Sequence, residues 1–423
     1  MQKGLCSYSA LFLVLCVSSA AGAQQALTWE QVRERFERNN PTLLADESNI
    51  DESKAQEITA FLRPNPTLNL SADGTQIAPD KGVWRPFAGT FESAGLSYLI
   101  ERQHKRQLRL ESVRKQTLIA ESTHADLERS LLFNLRSAFV SALQAQAALR
   151  LATDNLAYYD HVLDISRNRF SAGDIAQIDL DRLELQRVQY ESDEQTAEVN
   201  LHAAKIQLLT LLNDRTPVEQ FDVSGPYDFN DQLLQRDEFR KIALEARPDL
   251  KAAVEAIDKA QTDHKLAVAN GSTDPTVGAW YTHNSSTNNP FAINTLGVSL
   301  DIPLRIFDRN QGEKLRTQLD IDRNRKLLDA TQAQVFSDVD SAYAALNSNV
   351  ILLRPYREKY LKQAVRVRDT INFAYQNGGA SLLDFLNAQS DYRTVELSYV
   401  NLLGSYLTAA AQLNEAVGRE VIP

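Results

Sequence analysis

Cysteine is almost missing from this chain. There are two, Cys6 and Cys16, and both fall in a leader-like opening segment. Lys3 supplies its positive charge, Leu11 to Val17 its apolar stretch and Ala21-Gly22-Ala23 its small-residue cleavage site, so residues 1–23 are read as a signal peptide for export. Lipid attachment at Cys16 calls for a small residue before it, and Leu15 stands there. From Gln24 onward the chain has no thiol to form a disulfide, hold a metal or attack a substrate. Methionine is as scarce, since the single one is Met1. Beyond the leader there is no apolar run of the roughly 18 or more residues that a membrane helix needs, so any membrane crossing must be made by strands. Positive charge is in deficit too: a formal charge of −10 argues against nucleic acid as a partner.

Catalytic signatures are also lacking. There is no Gly-rich phosphate loop and no nucleophile elbow. The acid pairs Asp179/Asp181 and Asp338/Asp340 lie at i and i+2, which do not share a helix face. The six histidines are scattered without i, i+4 spacing, and His161 with Asp160 and Asp164 reads as a solvated helix face. The expectation is a protein that is not an enzyme, with no cofactor and no metal site.

What is present is a duplication. An amphipathic segment, Trp29–Asn39, runs into Asn40-Pro41-Thr42-Leu43, and roughly 207 residues later Phe239–Ala246 runs into Arg247-Pro248-Asp249-Leu250. The period is too long for a solenoid and reads as two copies of a half-protein. Each copy then has a pair of alternating segments, near 67–74 and 91–100 in the first and near 276–283 and 293–302 in the second. In the last, Val298, Leu300 and Ile302 alternate with Ser299 and Asp301. Polar loops, Asp73–Gly89 and Asn284–Pro290, separate the members of each pair.

Helix fills the rest. Residues 102–169 contain neither Pro nor Gly, enough for roughly 100 Å of helix. Residues 308–375 repeat the pattern, with Pro355 interrupting the middle. Leu132, Leu135, Phe139 and Leu143 recur at coiled-coil spacing, as do Val400, Leu403, Leu407 and Ala410. Each long helix stops at a glycine turn, at Gly173 and at Gly378-Gly379, and a return helix comes next, 175–212 and 381–415. The expected organisation is a first repeat over 24–212, a connector over 213–236, a second repeat over 237–415 and a tail over 416–423. Four strands cannot close a barrel, and open edges in lipid leave backbone groups unpaired. Three pooled copies would supply about 12 strands, within the range of membrane barrels.

The run Gly297-Val298-Ser299-Leu300-Asp301-Ile302-Pro303-Leu304, followed by Phe307-Asp308-Arg309-Asn310-Gln311-Gly312, resembles the strand-to-helix passage of the TolC-like outer-membrane efflux proteins. The two glycine turns resemble that family's helical-hairpin tips. The resemblance implies a mainly helical fold with a transmembrane β-barrel part. It also implies a homotrimer with a 12-stranded barrel in outer-membrane lipid and an α-helical tunnel in the periplasm. A periplasmic adaptor and an inner-membrane pump of the RND class would dock on that tunnel. It further implies that Tyr375, Asp384 and Asn387 lie at the periplasmic aperture, and that Gly173, Gly378 and Gly379 form the adaptor-docking tips. Three copies of Asp384 around an axis would make a cation-favouring ring, while a first-turn acid also stabilises a helix start without any pore. The sequence departs from the gate pattern of the family's best-known member, where Ala380 replaces a basic residue and Asn387 replaces a second Asp one turn on. Asp179, the counterpart in the other hairpin, is read as structural. The version of the passage carried here looks most like the heavy-metal branch, cobalt–zinc–cadmium or copper–silver. Export of drugs or other organic compounds is the alternative, and a periplasmic adaptor or structural coiled coil is the alternative of another class.

Overall fold

A computed structural model describes residues 26–284 and 291–422; the leader, both cysteines and most of the second loop lie outside them. The first half runs α1 (Trp29–Asn39), α2 (Pro41–Phe61), β1 (Thr67–Asp73), β2 (Phe91–Leu99), α3 (Lys105–Ala172) and α4 (Gln177–Leu211). The second half runs α5 (Arg236–Ala246), α6 (Pro248–Asn270), β3 (Thr276–Asn284), β4 (Asn294–Asp301), α7 (Gln311–Pro355), a π-turn over Tyr356–Tyr360, α8 (Leu361–Gln376) and α9 (Leu382–Val417). A short 3-10 turn, Val218–Gln220, lies in the connector.

Several expected boundaries move, each for a local reason. The helix expected from 102 starts at Lys105, because Gln103 and His104 take left-handed backbone (φ 57° and 56°). The one expected from 308 starts at Gln311, because Asn310 is left-handed (φ 60°) and its amide donates to Asp308 Oδ1 at 2.8 Å. The return helix expected from 175 starts at Gln177. The last helix continues past 415 to Val417, where Gly418 (φ 85°) ends it, so the first residues of the expected tail are helical. Helix 308–375 is not one regular helix: Pro355 has no amide to donate, and the π-turn comes directly after it.

The four strands form one antiparallel sheet in the order β1-β2-β3-β4, leaving β1 and β4 as open edges among the described residues. Its register sorts the side chains by face. Leu70, Ala94, Tyr281 and Leu296 share one row, and Leu68, Leu96, Ala279 and Val298 the next. The opposite face carries Ser71, Ser93, Thr282 and Thr295, then Asn69, Gly95, Trp280 and Gly297. Leu70, Leu296 and Val298 are each more than 70% exposed, so none of the described residues packs on the apolar face. On the polar face a Cβ at Gly297 would run into the Trp280 indole, so glycine there lets the ring lie flat on the neighbouring strand.

The helices bury three apolar cores. One joins Val335, Val339, Leu346 and Leu353 of α7 to Leu403, Tyr406, Leu413 and Val417 of α9, with Phe239 of α5. Its counterpart joins Leu135, Phe139 and Leu143 of α3 to Leu208 of α4 and to Val32 and Phe36 of α1. The alternating steps of three and four along α7 and α9 are those of a coiled-coil seam. The third core lies at the glycine-turn end, far from the sheet, and ties the hairpin α3–α4 to the hairpin α8–α9. Among the described residues no helix is long and apolar enough to cross a membrane.

Candidate functional site at the helical tips

Both turns are built by left-handed glycines. Gly173 (φ 83°) ends α3, with the Asp174 amide donating to Arg169 O at 2.9 Å. Gly378 (φ 73°) comes after α8, with the Gly379 amide donating to Ala374 O at 2.7 Å. No atom of the described residues lies within reach of a Cβ at Gly173 or Gly378, which leaves both turns open. A side chain at either would strain the backbone.

Beyond the second turn Ser381 caps α9. Its hydroxyl accepts from the Asp384 amide at 3.2 Å, and its own amide donates to Asp384 Oδ2 at 3.1 Å. This is a reciprocal capping box. Hydrogen bonds from the Ser381 hydroxyl and amide hold the Asp384 carboxyl below the usual carboxylate range. The matched position before α4 is Ala176, which has no oxygen to cap with.

The three aperture candidates do not converge. Asp384 and Asn387, one turn apart, share the exposed face of α9, where Asp391 continues the stripe. Tyr375 points the other way, into the third core. Its ring stacks on Phe385 at 5.0 Å between centroids, and the Arg169 guanidinium lies 5.4 Å from it. Arg169 Nη1 also donates to Tyr375 O at 3.3 Å, linking the two hairpins. Burial pushes the Tyr375 phenol up, opposed by Arg169. Its hydroxyl is buried with no hydrogen-bond partner among the described residues.

Further links between the hairpins are not evident from the sequence. Asn372 Nδ2 donates to Tyr158 OH at 2.8 Å, and the Arg368 guanidinium sits between the Tyr158 and Tyr392 rings at 5.0 and 4.1 Å. Arg393 of α9 pairs with Asp193 of α4 at 2.7 Å. A recurring Tyr/Arg content at these helix ends was the available signal, but single-helix periodicity does not say which residues meet across hairpins. The acids that flank His161 are drawn off instead, Asp160 by Arg187 and Asp164 by Arg167. Asp338 and Asp340 likewise bind different arginines, Arg247 and Arg240.

A family model described as outer membrane efflux protein matches residues 32–214 and again residues 240–419. The chain belongs to the outer membrane efflux protein family. The double match also marks the duplication at the same place as the repeated Pro41 and Pro248 segments. This outer-membrane efflux protein is 23% identical to the cobalt-zinc-cadmium resistance protein CzcC of Cupriavidus metallidurans, over 93% of this chain and 90% of that one. It is 23% identical to the outer membrane protein TolC of Escherichia coli, over 96% and 85%. A solved structure of CusC superposes with a TM-score of 0.77 at 18% identity, covering 92% of each chain. The outer membrane protein VceC of Vibrio cholerae superposes with a TM-score of 0.74 at 14% identity, over 92% and 96%. The likeness extends over sheet and helices together. Family and relatives make this the outer-membrane channel of a tripartite efflux system.

Proposed function

We propose that three copies pool their sheets into a 12-stranded barrel, three times the four strands of one sheet, and that the helices close a tunnel below it through the periplasm. The observation that carries this is the sheet itself, apolar and bare on one face, polar on the other, with unpaired edges on both sides. Such a sheet suits neither water nor lipid alone, and closure satisfies both faces and both edges. On this reading the apolar rows meet lipid, and the polar rows line a passive duct. Gly173, Gly378 and Gly379 are the tips on which a periplasmic adaptor docks, and an RND-class inner-membrane pump supplies the energy. Duct and adaptor need no catalytic residues in this chain.

Asp384 and Asn387 face the narrow end of the duct, while Tyr375 holds the hairpins together behind them. Three Asp384 carboxylates around the axis favour cations. Heavy-metal cations are the cargo class that fits, given the likeness to a cobalt-zinc-cadmium resistance protein. The test is ion selectivity in planar bilayers. Asp384→Asn keeps an oxygen for the Ser381 cap and removes the charge, so cation preference is expected to fall while pores persist. Pores with unchanged selectivity would move the charged constriction elsewhere, and no pores from folded protein would end the channel reading.

A further inference from the structure

The passage from sheet to helix holds a site that neither the duct nor the tips use. β2 ends at Leu99, and left-handed Gln103 and His104 swing the chain sharply into α3. A cleft of about 380 Å³ opens at this corner, with Arg63, Pro64, Tyr98, Ile100, His104 and Arg106 in its wall. Tyr98 and Ile100 have the parity of Ala94 and Leu96, so the apolar face of the sheet continues into the cleft. Phe61 and Leu62 are exposed beside it, and the Arg106 guanidinium lies 4.6 Å from the Phe61 ring.

The charges around the cleft are unbalanced. Lys105 is paired with Asp274 at 2.6 Å, and Glu101, the only acid in the wall among the described residues, is taken by Arg109. Among the described residues Arg63 and Arg106 make no ion pair, and neither does Arg102 next to them. In a chain of net charge −10, unpaired guanidinium groups at the border of a bare apolar surface select an anion that itself carries apolar chains. The matching passage of the second half repeats the mixture. There Leu304, Ile306 and Phe307 are exposed and interleaved with Arg305 and Arg309, the alternation of residues that sit at a bilayer surface.

We propose that this cleft binds the phosphate-bearing headgroup of an anionic phospholipid in the periplasm-facing leaflet, with its acyl chains lying along Ile100, Tyr98 and the apolar rows above. Guanidinium forks match phosphate oxygens in pairs. The corner lies at the helical end of the sheet, opposite the loop over 74–90, which faces it to the periplasm; the proposal rests on the membrane placement given above. Its role is to fix the height and tilt of the barrel where the tunnel begins.

The test uses the purified full-length assembly in detergent, given phosphatidylglycerol or phosphatidylcholine, with bound lipid counted by native mass spectrometry. Wild type is expected to retain phosphatidylglycerol in preference. The double variant Arg63→Gln/Arg106→Gln should bind it about 25-fold more weakly, two interfacial cations at roughly fivefold each. Arg63→Gln alone, at an exposed residue without a partner, should show the single step and guards against misfolding once the Arg106 stack is lost. Bilayer conductance of the same variants should be unchanged, which separates loss of the lipid site from loss of the channel. Equal retention of the two lipids by wild type, or undiminished phosphatidylglycerol binding by the variants, overturns the proposal. Displacement of phosphatidylglycerol by inorganic phosphate alone would assign the cleft to a soluble anion and overturn it equally.

Discussion

Arg247 illustrates how two copies of one half-protein part ways at single residues. Its counterpart Asn40 caps α2, accepting from the Thr42 and Leu43 amides at 3.0 Å each. Arg247 cannot cap a helix start in this way. Its side chain, 3% exposed, reaches Asp249 at 2.7 Å, Asp338 at 2.8 Å and Ala416 O at 3.1 Å. It thereby binds α6, α7 and α9 together. Burial pushes the Asp249 carboxyl up, but the hydrogen bonds and charge of Arg247, with the Arg129 charge and the Leu250 amide, together more than offset this and hold it below the usual range. Arg247→Ala would strand two carboxylates and should cost about 3–5 kcal/mol of local stability, read as lost hydrogen-exchange protection around the α5–α6 junction. Because the folded pKa of Asp249 is depressed, its contribution is complete above an unfolded value near 3.9 and is lost as pH falls through the lower folded value. The Asp249 contribution to protection at this junction should therefore be constant from about pH 5 to 8 and decline only in acid. The adjoining cores differ in a similar way: buried Val32 and Phe36 of α1 stand where α5 has Phe239 and Ala243, so the large side chain moves one turn.

Among the elements, the two tips are alike in turn geometry and unlike in capping. Ala176 (φ −76°, ψ 153°) has the extended backbone of Ser381 (φ −77°, ψ 160°), and Asp179 stands where Asp384 does. Ala176→Ser should complete a second capping box and stabilise the start of α4 by about 0.5–1 kcal/mol, while Ser381→Ala should cost the start of α9 a similar amount. Slower and faster amide exchange in the respective first turns is the expected readout. These helices were legible because their signals are local: no Pro or Gly across 105–169, seams at steps of three and four, glycine at the stops. The strand pairs were legible from alternation. Helix starts at 105 and 311 were not, since left-handed Gln103, His104 and Asn310 carry no glycine to announce them. The π-turn after Pro355 was visible only as an interruption. At the site, the turns and the Asp384 position could be read. The inward course of Tyr375 could not, because it is set by packing across the turn onto Phe385 and by Arg169 of the other hairpin, 206 residues away in sequence.

For the whole molecule, the sheet decides where the protein can exist. Val298→Arg places a charge in the apolar row with Leu68, Leu96 and Ala279. It should cost about 2–4 kcal/mol if that row lies near the bilayer midplane and should reduce the amount recovered in outer membranes. Thr295→Arg, on the polar face, should leave that amount unchanged. The contrast separates a lipid-facing sheet from one that merely packs against another soluble partner.

The open edges also constrain the order of events in biogenesis. With β1 and β4 unpaired, a lone copy would bring bare N–H and C=O groups into hydrocarbon, each costing several kcal/mol. Kept in water, it would instead expose Leu70, Leu296 and Val298 beside those same edges, a template for indiscriminate strand pairing. An even number of strands makes β1 and β4 run in opposite directions, so β4 of one copy meets β1 of the next in the antiparallel sense already used within the sheet. Crossing into the membrane and finding its sister copies are therefore a single commitment, with no safe resting place between them.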